Sequence, residues 1–71
     1  MDTQQHQILL NGDLKRIPVT LTVAELLKDI GYPQKGIAVA VNRVVIPRSQ
    51  HESFTLPADA TVEVIRAVGG G

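Results

Sequence analysis

Leu21-Thr22-Val23-Ala24-Glu25-Leu26-Leu27-Lys28-Asp29-Ile30-Gly31-Tyr32-Pro33 carries a start, an apolar stripe and a stop, which together specify one short helix. Thr22 is a good N-cap, and Glu25 three residues on completes a capping box. Leu21 and Leu26 occupy the two positions of a hydrophobic staple around that cap. Val23, Leu26, Leu27 and Ile30 recur at i, i+3, i+4 and i+7, so they share one face. Gly31 stands where a C′ glycine ends a helix, and Pro33 blocks its continuation. A helix of about eight residues does not hold together alone in water. It needs a sheet to lie on, and the flanking sequence supplies one.

Upstream, Gln7-Ile8-Leu9-Leu10-Asn11 reads as a strand and Asn11-Gly12-Asp13 as a tight turn. Asparagine and glycine tolerate the positive φ such a hairpin needs. Leu14-Lys15-Arg16-Ile17-Pro18-Val19 is the returning strand, antiparallel to the first. Pro18 donates no hydrogen bond, which places this strand at a sheet edge or ends it there. Downstream, Gln34-Lys35-Gly36 links into Ile37-Ala38-Val39-Ala40-Val41-Asn42. Its larger residues (Ile37, Val39, Val41) face the helix and its alanines face away. Val44-Val45-Ile46 is a short fourth strand stopped by Pro47-Arg48, where Arg48 is given a structural role. After the polar Ser49-Gln50-His51-Glu52-Ser53, Phe54 and Leu56 plug the bottom of the core and Pro57-Ala58-Asp59-Ala60 turns. Thr61-Val62-Glu63-Val64-Ile65-Arg66 closes the series, with Val62 and Val64 inward and Glu63 and Ile65 outward. Hairpin, helix, strand, short strand, strand is the order of the α+β β-grasp (ubiquitin-like) architecture. It implies a mixed four- to five-stranded sheet packed on one short α-helix, the last strand central and parallel to the first. Residues 1–66 form the domain and 67–71 a flexible glycine tail.

Composition narrows the function. The 71 residues are 44% apolar, enough for one core, with no cysteine for disulfides, thiolate chemistry or Cys-based metal sites. Seven acidic and seven basic residues cancel and are scattered, so there is no basic stripe for a phosphate backbone. One Tyr, one Phe and no Trp offer no stacking platform for single strands. No nucleic-acid partner is expected. Residues 1–7 are polar and no apolar run could cross a bilayer, so no membrane partner is expected and the chain reads as soluble and cytoplasmic. His6 and His51 are isolated and read as surface residues, with no metal or triad spacing around them. Glu25 is a capping residue, not a general base. The chain reads as a carrier or cosubstrate rather than an enzyme.

The distinctive chemistry lies at Gly69-Gly70-Gly71, reached through Ala67-Val68. Side-chain-free residues cannot stabilise a fold, but they can enter a slot too narrow for anything else. From Val68 to Gly71 an extended chain reaches roughly 13–14 Å. Glycine ends are also what frayed termini look like. A free carboxylate is a poor electrophile; ATP would convert the Gly71 carboxylate to an acyl-adenylate, and a sulfur donor displacing AMP would leave a thiocarboxylate. The chain has neither a phosphate-binding G-x-x-x-x-G-K-[ST] loop nor a carboxylate cluster for magnesium. No cofactor is bound by this chain, so ATP and Mg belong to an activating partner. Ala38, Ala40, Ile65, Arg66 and Val68 form a candidate partner-facing surface, with Gly69, Gly70 and Gly71 as the part that enters the partner's active site.

The strand ending in Leu10-Asn11, Thr22-Val23-Ala24-Glu25-Leu26-Leu27, Ala38-Val39-Ala40-Val41-Asn42, Val45-Ile46-Pro47-Arg48 and the Gly-Gly end together resemble the ThiS family, sulfur carriers of thiamin thiazole biosynthesis. The resemblance covers essentially the whole chain. It implies that Gly71 is adenylated by a ThiF-type enzyme, converted to thiocarboxylate by a sulfur donor system, and met by a ThiG-type thiazole synthase. The family pattern needs two glycines, so Gly70 and Gly71 are the functional pair and Gly69 is slack. Other readings stay open: a MoaD-like small subunit of molybdopterin synthase, a ubiquitin-like modifier, or a β-grasp binding module with an inert tail.

Overall fold

The computed structural model describes residues 4–33 and 36–66. Both ends of the helix carry the satisfied caps its sequence calls for. Helix α1 spans Val23–Asp29, and Thr22 and Glu25 exchange hydrogen bonds: Glu25 N donates to Thr22 Oγ1 at 3.2 Å and Thr22 N donates to Glu25 Oε1 at 2.9 Å. Two further N–H groups of the first turn find tertiary partners, Val23 N on the Phe54 carbonyl and Ala24 N on the His51 carbonyl. The polar 49–53 stretch therefore helps terminate the helix rather than merely linking strands. At the other end Gly31 has φ +81°, its N–H donates to the Lys28 carbonyl, and Tyr32 N–H donates to the Leu27 carbonyl at 2.9 Å. This pair of bonds is a Schellman motif. A Cβ on Gly31 would meet nothing within 4 Å, so substitution there is purely a backbone cost. Gly31→Ala is expected to lower stability by about 1–2 kcal/mol, read from the urea unfolding midpoint with an unchanged slope.

Strands β1 (Gln5–Leu10), β2 (Asp13–Pro18), β3 (Ile37–Val41), β4 (Val44–Ile46) and β5 (Thr61–Arg66) form one sheet in the order β2-β1-β5-β3-β4. The expected central last strand is present, parallel to β1 and antiparallel to β3. The sheet has five strands, and β1 begins two residues before the expected Gln7, because Gln5 and His6 pair with Pro18 and Ile17. Pro18 satisfies both expectations, ending a strand that is also an edge. The strands alternate as required. Ile8, Ile17, Val39 and Val62 are fully buried and share the core with Val23, Leu26, Leu27 and Leu56. Leu21 and Leu26 are both buried, and Phe54 packs against the core while remaining partly exposed.

Two tight turns carry an unexpected second task. Asn11-Gly12 and Asn42-Arg43 both have positive φ at their two central residues, the signature of type I′ hairpins. Strand β5 pairs with β1 only at Thr61 and Val62, because β1 then ends. The Asn11 side chain replaces the missing strand, its Oδ1 accepting from Val64 N at 2.9 Å. Asn42 Oδ1 accepts from Thr61 N at 2.9 Å at the other end of β5. Both turns thus hold the strand that leads to the C-terminal glycines.

His51 departs from its expected surface position. It is buried, with Nε2 3.0 Å from the Ile46 carbonyl. A 3₁₀ turn at Arg48–Gln50 folds the polar stretch back on itself, with His51 N donating to the Arg48 carbonyl. That reversal carries the imidazole under the end of β4 while Gln50, Glu52 and Ser53 stay exposed. His6 is half-buried on the helix face of β1 rather than fully at the surface. Arg48 is exposed and contributes to the turn through its carbonyl.

Candidate functional site

The site is built at the C-terminal end of β5. Pairing with β3 fixes the backbone of Ile65 and Arg66, beyond the point where β1 has ended. Ala38 lies opposite Ile65 and Ile37 opposite Arg66 across the β3–β5 ladder. Cross-strand partners share a face. Ile65 and Ala38 are therefore together on the face turned away from α1, and both are exposed. Ala40, opposite Glu63 on β5 and Val45 on β4, belongs to the same face and is half-buried.

Sequence reasoning missed how far this apolar face extends. Val45 is 66% exposed and Ile65 59% exposed, and both lie on the open side of the sheet. Leu9 and Leu14, paired across β1 and β2, add two more exposed aliphatics. The period-2 alternation of β1 contained the signal for Leu9. The three-residue run Val44-Val45-Ile46 gave no such signal, because its facing depends on pairing with β3.

Arg66 needs a correction. It was grouped with Ala38, Ala40 and Ile65, but the pleat turns it onto the helix face, where its guanidinium carbon lies 5.7 Å from the centroid of the Tyr32 ring. Successive strand residues point to opposite faces, so Ile65 and Arg66 cannot share one. Tyr32, the residue just past the helix stop, was not singled out from sequence. Val68, Gly69, Gly70 and Gly71 lie outside the described residues.

Elsewhere the surface offers less. A shallow depression lined by Thr22, Ala24, Glu25, Lys28 and Glu52 sits beside the helix start and includes no β5 residue. Among the described residues no three His, Cys, Asp or Glu side chains converge as metal ligands. Among them, too, no helix is long and apolar enough to cross a membrane.

The sequence model of the ThiS family matches residues 8–71, from the buried Ile8 of β1 through the final glycine. The chain belongs to the ThiS family. Its fold matches that of the thiamine biosynthesis protein ThiS from Geobacter metallireducens with a TM-score of 0.78 at 26% identity, covering 92% of this chain and 99% of that one. The sulfur carrier protein ThiS of Escherichia coli K12 is 29% identical over 65 residues, 92% of this chain and 98% of the relative. Two thiazole synthases also match over 92% of this ThiS-family chain. That of Magnetococcus marinus is 31% identical and that of Paramagnetospirillum magneticum 25%. The chain spans only 20% of the length of these synthases, so each contains a segment similar to this chain within a much larger protein.

Proposed function

We propose that this chain is a sulfur carrier of thiamine thiazole biosynthesis, with residues 1–66 as the handle and 67–71 as the reactive arm. The observation that carries this reading is the family match, which runs unbroken from the first core residue to Gly71. In this reading the Gly71 carboxylate attacks the α-phosphate of ATP within a ThiF-type enzyme that also supplies Mg, releasing pyrophosphate. A sulfur donor then displaces AMP and leaves a thiocarboxylate. That sulfur is soft and nucleophilic, suited to attack on an electrophilic carbon in a ThiG-type thiazole synthase. The two synthases that hold a carrier-like segment in the same polypeptide support such a partner. The chemistry resides in the partners, and the chain itself is a cosubstrate that works in the cytoplasm.

The domain's contribution is mechanical. The strand that precedes the arm is held by β3 on one side as far as Arg66, and on the other by Asn11 at Val64. The open face around Ile65, Ala38 and Val45 gives a partner an apolar surface to grip beside the arm. The test is the intact mass after incubation with a ThiF-type enzyme, MgATP and a sulfur source. One oxygen-to-sulfur exchange, confined to the C-terminal proteolytic fragment, is the expected result. No exchange, with an enzyme that loads another carrier under the same conditions, overturns the reading.

A further inference from the structure

Tyr32 and Arg66 meet where the helix stop and the end of β5 come together. Each has a fixed backbone. Tyr32 is locked by its N–H bond to the Leu27 carbonyl and packs, half-buried, against the core. Arg66 is locked by pairing with Ile37. The guanidinium carbon lies 5.7 Å from the centroid of the Tyr32 ring, inside the range at which a cation is attracted by an aromatic face. Arg66 is the last described residue before the glycine arm, and the Tyr32 ring gives its long side chain a specific resting place.

We propose that Tyr32 and Arg66 form a latch that presets the root of the arm for the activating enzyme. The proposal rests on the carrier reading. Arg66 is five residues from Gly71, and an arm extended into a partner's active site would put roughly 16–18 Å between them, out of reach of the reacting carboxylate. It is a positioning residue, and its effect belongs in docking. An arginine free in solution samples many rotamers, and ordering them on binding costs affinity. With the guanidinium already resting on Tyr32, that ordering has taken place before the partner arrives. The charge is also presented at one place, beside the root and on the opposite side of the sheet from Ile65.

The test is the carrier-concentration dependence of pyrophosphate release by a ThiF-type enzyme with MgATP. Tyr32→Leu, which removes the ring but leaves the charge, is expected to raise KM for the carrier about two- to fivefold with kcat unchanged, the size of an exposed cation–π contact. Tyr32→Phe keeps the aromatic face and should behave as the parent. Arg66→Ala raises KM as well, and adding Tyr32→Leu to it should add little, because both remove the same contact. Ring-current shifts of the Arg66 side-chain protons in the free protein, lost in Tyr32→Leu, report the contact without any enzyme. Equal KM values for the parent and Tyr32→Leu, a loss confined to kcat, or fully multiplicative effects in the double variant each overturn the latch. Failure of the parent chain itself to be adenylated overturns the carrier reading and the latch with it, and is distinguishable from failure of the latch alone.

Discussion

A chain shortened by Gly70 and Gly71 unfolds at the same temperature as the parent and accepts no sulfur at all. The first half of this expectation follows from where the core ends. Among the described residues every buried apolar side chain lies between Ile8 and Val64, and the last backbone pairing of β5 is at Arg66. Changes away from such contacts ordinarily move stability by no more than about 0.5 kcal/mol. The second half follows from the chemistry. A carboxylate two residues short of its place is withdrawn by roughly 7 Å, whereas reacting atoms must come within about 3–3.5 Å of one another. Thermal melting and intact mass after the loading reaction measure the two halves on one sample. If the shortened chain were loaded at Gly69 as readily as the parent, the reactive position would not be tied to Gly71. The same experiment with only Gly71 removed tests whether Gly69 is slack, since a Gly69-Gly70 end still presents two glycines.

Much of the fold could be read in advance because its signals are local. The Thr22–Glu25 box, the Gly31 stop and the Asn11-Gly12 turn are set by residues within a few positions of one another, and their bonds form as the sequence implies. Alternation in 37–41 and 61–66 assigned every face correctly up to Ile65, because a pleated strand leaves no freedom. What escaped depends on residues distant in the chain. His51 sits in a polar run that reads as exposed, and only the 3₁₀ reversal beneath β4 brings it to the Ile46 carbonyl. The second role of Asn11 appears only once β5, 53 positions later, outruns β1. Arg66 is read from sequence as a charge that could steer a partner, and the same alternation that places Val62 and Val64 turns it to the helix side. Tyr32 gained meaning only from that correction. Of the candidate site, Ala38, Ala40 and Ile65 come together as read, and the arm itself was legible only as chemistry.

Leu27→Ala removes most of the stability of this domain. Leu27 has no solvent-exposed surface, lies on the apolar stripe of α1, and its carbonyl holds the N–H of Tyr32. Truncating a fully buried leucine to alanine costs about 2–5 kcal/mol, through lost burial and through the cavity left behind. A single core below about 70–80 residues rarely supplies more than roughly 3–5 kcal/mol. The chain has no disulfide to make up the difference. The substitution should therefore lower the melting temperature by at least about 8 °C, at about 4–8 °C per kcal/mol for a domain this small, and leave a substantial unfolded fraction at 37 °C. Leu27→Met, which conserves volume, should cost less than about 1.5 kcal/mol. The pair isolates packing from helix propensity, because alanine is the better helix former and would stabilise the chain if the helix stood alone. A Leu27→Ala chain that melts within a few degrees of the parent would mean that α1 does not close the core over β1, β5 and β3. The central strand that precedes the arm would then lose the packing that holds it in place.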